Sequence, residues 1–352
     1  MSLMRATSPH ARAGDSTAKV MLQVAAATLP GVLALVIYFG IGVLINIALC
    51  SITALACEAA IVKLRQRPVS FYLKDCSAFV TALLLGIALP PYCPWWLPVI
   101  GASTAIVLAK HLYGGMGYNP FNPAMVGYVV LLISFPVDMT RWVGPAEIIN
   151  GAPGIDEALS LVFGFGGYNV DGFTRATPLD IVRLNESVLL SQLYATEPVL
   201  DQGTVAGLGW EAANFGFLIG GLFLLFRRVI TWHAPVAMLG TLALMSLLFY
   251  DSGSSLSEGS PMLHLFSGAT MLGAFFIITD PVSGATSNKG RLIFGAGVGL
   301  LVYIIRAWGS YPDAVAFAVL LMNFAAPTID NYTLPRTYGH KSARRATDLE
   351  ER

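Results

Sequence analysis

Charge is what this chain has least of. Only 12 % of its 352 residues are Asp, Glu, Lys or Arg, while 55 % are hydrophobic. A soluble domain carries about a quarter charged residues. Together with a mean hydropathy of +0.66, the balance excludes an ordinary soluble globule and indicates a bilayer protein. The formal net charge is zero, and no nucleic-acid partner is expected. Cysteine is scarce as well. Cys50, Cys57, Cys76 and Cys93 show neither CxxC nor CxxxC spacing, so no metal or disulfide framework is read from them. Three of the four lie in or beside apolar runs, where small buried thiols are ordinary. No GxGxxG fingerprint following a strand is visible, so nothing marks a nicotinamide site.

What is present is a series of long apolar runs. Bounded by charge, Pro or Gly, they fall near residues 20–38, 40–62, 77–90, 96–109, 123–136, 213–226, 231–250, 262–279, 292–306 and 313–327. The basic N-terminal stretch and the length of the first run, without a small-x-small cleavage site, predict a retained span rather than a signal peptide. Several runs are shorter than the roughly 20 residues needed to cross hydrocarbon. Those, such as NPAMVGYVVLLISFP, either form half-helices or extend into their neighbours.

Positive charge orients the runs. With the N-terminus inside, ten spans put seventeen Lys and Arg on the cytoplasmic side and leave only Arg141, Arg175, Arg183 and Arg306 outside. This is the bias of the positive-inside rule. Residues 137–212 contain ten Asp or Glu, three Arg and no Lys, as fits an exported loop. The expected architecture is an all-α polytopic membrane protein of about ten transmembrane helices: tail 1–19, membrane half 20–136, periplasmic loop 137–212, membrane half 213–327 and tail 328–352. Five spans on each side of the loop make two inverted five-helix halves geometrically available. Pro-rich LLGIALPPYCPWWLP reads as an interfacial corner, its paired Trp at headgroup level. Glu58 and His264 lie near span ends, as members of an ion path or, more commonly, as snorkelling or locally paired groups.

Three similar tetrapeptides stand out: Thr174-Arg-Ala-Thr177, Ser267-Gly-Ala-Thr270 and Ser283-Gly-Ala-Thr286. A Thr hydroxyl is a poor nucleophile unless activated. Ser267–Thr270 lies inside a run, where small residues let helices approach. Ser283–Thr286 follows Asp280-Pro281 in a turn-rich segment between two runs. Thr177 precedes Pro178 and the apolar pattern of PLDIVRLNESVLLSQL, an amphipathic helix in which Leu179, Ile181, Val182, Leu184, Val188 and Leu189 recur. It then occupies the N-cap, with Asp180 three residues on as in a capping box. The bland reading is a helix cap. The chemical one is a phosphate site at a helix start with Arg175 beside it.

Three strings carry a resemblance: KHLYGGMGYNPFNPAMVGYVVLLISFP (Lys110 to Pro136), DGFTRATPLD (Asp171 to Asp180) and TDPVSGATSNKGRLIFG (Thr279 to Gly295). Together they resemble the RnfD family, which supplies a membrane component of the Rnf electron-transport complex and is homologous to the B subunit of the sodium-pumping NADH:quinone reductase. The length and short N-terminal stretch favour the Rnf branch. The resemblance implies FMN held through its phosphate on a Thr, and a noncovalent riboflavin-type flavin deeper in the bundle. A flavin transferase makes the phosphoester from FAD, reading a pattern close to Asp-x-x-Ser/Thr-Gly-Ala-Thr/Ser. Asp171, Thr174, Ala176 and Thr177 match, making Thr177 the attachment residue, while Arg175 stands where Gly is usual. Asp280 to Thr286 matches the pattern more closely. The transferase acts in the periplasm, however, and the charge asymmetry puts residues 280–290 inside. Ser267–Thr270 has His264 in place of the Asp. Tethering keeps the cofactor's effective concentration high where a dissociable flavin would be diluted away.

The implied role is electron transfer within an ion-translocating ferredoxin:NAD(+) oxidoreductase of the bacterial inner membrane, coupled to Na+ or H+ movement. Its partners would be a periplasmic FMN-bearing subunit, iron–sulfur membrane subunits, the transferase and lipid, and it would be inactive alone. The second flavin would contact GYNPFNPA and DPVSGATSNKG through Asn119, Asn122, Asp280, Thr286 and Asn288, unless both are merely tight turns. The competing function is a cofactor-free transporter or channel.

Overall fold

Three helices open on the same device, a capping side chain followed by proline. Asn122-Pro123, Thr177-Pro178 and Ser260-Pro261 each place a side-chain oxygen against the first-turn amides. Proline there costs nothing, because its missing N–H would have had no partner. The computed structural model describes residues 16–149, 151–165, 170–185, 187–251, 254, 257–309, 311 and 314–333. Most of both expected tails lies outside these residues.

The first part comprises α1 (Thr17–Phe39), α2 (Gly42–Leu64), α3 (Val69–Leu73), α4 (Ser77–Ala88), α5 (Trp96–Thr104), α6 (Pro123–Ser134) and α7 (Pro136–Thr140). The helix of α5 continues as a π-helix over Ala105–His111. The middle segment holds α8 (Ile155–Phe163), α9 (Pro178–Arg183), α10 (Leu190–Thr196) and α11 (Pro198–Asp201). The last part comprises α12 (Trp210–Phe226), α13 (His233–Leu248), α14 (Pro261–Phe266), α15 (Thr270–Leu272) extended by a π-helix over Gly273–Ile277, α16 (Asn288–Trp308) and α17 (Val315–Thr333). Among the described residues the only extended pairing is one bridge, Val143 to Thr174. The chain is all-helical, and α1, α2 and α16 are each long and apolar enough to cross a membrane. Shorter apolar helices, α4, α6, α12 and α13, accompany them.

The long helices meet through glycine. Gly216 and Gly220 of α12 lie against the backbone of Pro30, Gly31 and Ala27 in α1. Gly295 and Gly299 of α16 press on the carbonyls of Ala234 and Met238 in α13, and Gly127 of α6 on that of Gly101 in α5. Without a hydrophobic drive between helices in lipid, close backbone approach through small residues supplies the packing.

Two expectations are corrected. The amphipathic helix expected from Pro178 onward stops at Arg183. Asn185 then brackets the turn, its side chain accepting from Val188 N–H and donating to Val188 O. Leu184 and Leu189 consequently point to the surface. The run 262–279 is not one helix either. Ser267 is extended and Gly268 has φ +59°, which breaks the rod between α14 and α15. The segment expected between the halves, residues 137–212, is packed. Leu179, Val182, Leu190, Leu193 and Leu200 pack with Leu263, and Val143, Ala158 and Leu161 pack with Tyr92.

A bulky residue at the α1–α12 or α13–α16 seam should separate the helices. Gly220→Leu and Gly299→Leu are expected to destabilise by about 1–3 kcal/mol each, the usual cost of overpacking. Gly240, with nothing within 4 Å of an added Cβ, should tolerate Ala. Thermal unfolding in detergent, followed by loss of the monodisperse elution peak, measures the difference.

Candidate functional site

The DGFTRAT string is pinned by its neighbours. Gly144 N–H donates to Phe173 O at 3.0 Å and Arg175 N–H to Trp142 O at 2.9 Å. Asp171 lies 3.8 Å from Arg141. The Thr174 hydroxyl donates to Asp171 O, and the exposed Arg175 guanidinium to Thr174 O. Ala176 is exposed. Thr177 is 8 % exposed; its hydroxyl donates to Asp180 Oδ2 at 2.7 Å and accepts from Asp180 N–H at 3.2 Å. Thr177 N–H is also directed at that carboxylate. The capping box expected from the residue order is therefore present. It also occupies two amides that a phosphate would need, and α9 is only six residues long.

Thr177 and Asp180 border a cleft of about 40 Å3 whose walls include Tyr128, Trp142, Trp210 and Tyr311. Tyr128, Trp142, Trp210 and Gly268 also line an apolar cavity of about 50 Å3 further into the bundle. Trp142 and Trp210 pack at 4.9 Å between ring centroids, and Phe39 lies 5.0 Å from Trp210.

The other look-alikes serve different ends. Thr270 is fully buried and its hydroxyl donates to the carbonyls of His264 and Ser267. Arg306 donates to His264 O and to that same hydroxyl. Asn214 caps the break from the far side, donating to Phe266 O and Gly268 O and accepting from Met271 N–H. The tetrapeptide is thus a helix break whose backbone groups are satisfied by protein, the condition for irregular structure at membrane depth. Ser283 is held by Asp280, its hydroxyl 2.6 Å from Oδ2. Thr286 is exposed, with its N–H on Asp330.

A much larger cavity, about 340 Å3, lies between the two polar strings. Asn119 and Asn122 line it from one string and Asp280 from the other, with Lys110, Ser77 and Gly117 beside them. Asn122 reaches across 155 positions to donate to Ile277 O at 3.3 Å. Asn323 of α17, oriented to satisfy its neighbours, donates to Ser283 O and accepts from Asn122 N–H. Of the five residues expected at a second ligand, Asn119, Asn122 and Asp280 share this wall; Thr286 and Asn288 are exposed elsewhere. Sequence reasoning passed over Asn323 and Lys110. The one signal for Asn323 is an amide inside the apolar string VLLMNFAAP.

Glu58 and His264 are both locally held. Glu58 is 1 % exposed and accepts two hydrogen bonds from Lys110 Nζ, at 2.8 and 2.7 Å. His264 Nε2 lies 2.9 Å from Glu258 O. Lys110 and Arg306, each 3 % exposed, are internal partners rather than loop charges, so neither bears on which side faces the cytoplasm. Among the described residues no cluster of His, Cys, Asp or Glu is arranged to hold a metal ion.

Comparison with known proteins agrees with the three strings. The family described as NQR2, RnfD, RnfE matches residues 4–339. Proteins named as the D subunit of an ion-translocating oxidoreductase complex are similar throughout. The one from Cellvibrio japonicus is 58 % identical over 100 % of this chain and 99 % of its own length. That from Ectopseudomonas mendocina is 58 % identical over 100 % of both, and that from Aliivibrio salmonicida 52 % over 97 % of this chain and 99 % of its own. A match of this extent means that the chain belongs to the NQR2, RnfD, RnfE family.

Proposed function

We propose that this chain is the membrane electron-transfer subunit of an Rnf-type ion-translocating oxidoreductase complex in the bacterial inner membrane. In this reading it crosses the bilayer ten times as two inverted halves, with both termini cytoplasmic and residues 137–212 periplasmic. It carries FMN on Thr177 and a second, noncovalent flavin in the 340 Å3 cavity, and its electron transfer is coupled to Na+ or H+ translocation. The observation that carries the reading is the meeting of two distant polar strings on one cavity. Its size lies within the range of about 300–1,000 Å3 usual for small-molecule sites.

The residues fit the two flavins unequally. In the large cavity, amides and a carboxylate from Asn119, Asn122 and Asp280 face apolar walls from α1, α4 and α12, a donor and acceptor set suited to the polar edge of an isoalloxazine ring. At Thr177 the aromatic walls suit a ring, but the cleft of about 40 Å3 is too small to enclose one. The Asp180 carboxylate, 2.7 Å from the hydroxyl, would face a phosphoester and be repelled, so the capping box opens when the flavin is attached. When bound, the flavins supply the redox chemistry, while the protein holds and tunes them.

In-gel fluorescence of denatured protein, co-expressed with the transferase, tests the anchor. Thr177→Val should abolish the covalent band and Thr286→Val should keep it. Fluorescence surviving in Thr177→Val would move the anchor, and no band in wild type would favour a cofactor-free transporter. For the second flavin, Asn119→Ala should lower co-purifying riboflavin about ten-fold, since one hydrogen bond of about 1.4 kcal/mol has that weight. An exposed Cys introduced at Gly172 should react with impermeant maleimide from the periplasm only; labelling from the cytosol alone would invert the proposed topology.

A further inference from the structure

We propose that Asp75, Ser77 and Lys110 form a proton relay from the surface between α3 and α4 into the large cavity. It rests on the reading that the cavity takes a redox ring whose reduction takes up a proton. Three side chains are in series. Lys110 Nζ donates to Ser77 Oγ at 2.7 Å, and Ser77 Oγ donates to Asp75 Oδ1 at 2.6 Å. Lys110 and Ser77 line the cavity and are buried, whereas Asp75 is half-buried in the turn before α4. The series therefore has one end at the cavity and the other near solvent, next to Lys74.

Lys110 stands where such a group must be. It lies in the π-helical stretch Ala105–His111, a geometry frequent at functional sites. Its ammonium donates to both Glu58 carboxylate oxygens and to Ser77 Oγ. Around it, α2 contributes Glu58 and Arg65, which donates to His111 O at 2.6 Å. His111 Nε2 lies 3.7 Å from Glu58 Oε1, and neither ring nitrogen finds a hydrogen-bond partner among the described residues. Among the described residues, Asp280 is the other ionisable group on the cavity wall.

With a redox ring in the cavity and electrons supplied by the complex's own donor, Lys110 Nζ would be the group that gives up the proton that reduction requires. Asp75, a carboxylate acceptor in the resting series, first takes a proton from solvent and passes it to the Ser77 oxygen as the Ser77 hydroxyl proton moves to Lys110, left as an amine. Glu58 makes the refilling directional, because while Lys110 is neutral a buried carboxylate has lost its main counter-charge.

The test uses the full chain in detergent, supplied with riboflavin and reduced in a stopped-flow cell by pre-reduced methyl viologen, a one-electron donor that releases no proton, in weak buffer with a pH-indicating dye. Wild type should take up protons in step with bleaching of the flavin absorbance. Asp75→Asn keeps the acceptor that caps Ser77 N–H, so α4 retains its start, and Ser77→Ala removes only the hydroxyl. Asp75→Asn, away from the cavity wall, should hold riboflavin and bleach at the wild-type rate; in it, and in Ser77→Ala compared at equal riboflavin occupancy, proton uptake should lag about a hundred-fold, the weight of a lost acid–base group. Acetic acid should restore uptake in Asp75→Asn. Undelayed uptake in Asp75→Asn at wild-type riboflavin content would overturn the relay alone. A wild type that holds no riboflavin would overturn the cavity reading and the relay with it.

Discussion

Hydrocarbon offers no water to a carbonyl that leaves helical geometry, and much of this molecule is arranged around that fact. Where α14 stops, the carbonyls of His264, Phe266 and Gly268 are taken by Arg306 and Asn214. Where α4 gives way to the Pro-rich corner, Asn46 donates to Pro90 O at 2.9 Å. Where the run 262–279 ends before Asp280, Asn122 takes Ile277 O. In each case a buried side chain on one helix satisfies a break on another, as irregular backbone at membrane depth requires. The polar residues inside the spans are therefore chiefly fasteners. The breaks they stabilise leave room, and the cavities border those breaks.

Fastening alone would not bring the breaks together. The α1–α12 and α13–α16 seams do so, because Gly220 and Gly299 let one helix rest on the carbonyls of another. The consequence reaches the candidate sites. Trp210 begins α12 and Phe39 ends α1, so the seam between these helices fixes the aromatic wall shared by the Thr177 cleft and the apolar cavity. In the same way α17, through Asn323, ties the Asn122 string to the Ser283 string. Packing upstream thus sets the geometry on which any ligand would depend.

The sequence was legible where one local rule decides the outcome. Most apolar runs became helices, the broken run 262–279 excepted, and Thr177-Pro178 with Asp180 became a capping box, because both depend on residues within a few positions of one another. It was illegible where distant groups decide. The Ser267-Gly-Ala-Thr270 break is held by Asn214 and Arg306, each more than thirty positions away, whereas the Ser283-Gly-Ala-Thr286 turn is held by nearby Asp280. The helix expected after Pro178 failed through Asn185, whose side chain found a nearer partner in Val188, the competition that makes Asn a poor residue inside helices. Lys110 was counted as a loop charge because its run reads as ending there; only the fold places Glu58, 52 positions earlier, beside it.

The Glu58–Lys110 pair is difficult to explain as a stabilising element. Removing two charges from water costs several kcal/mol per ion even after relaxation, and apolar replacements of similar volume are often as stable or more so. Here the penalty is compounded, since His111 lies against the same carboxylate and its ring nitrogens lack hydrogen-bond partners among the described residues. Ionisable groups at membrane depth are uncommon and tend to mark pathways. A purely structural fastener at this position could be an amide, as it is at Asn46, Asn122 and Asn214. What the ammonium adds is a transferable proton on the wall of the cavity, and what the carboxylate adds is a reason for that proton to be replaced.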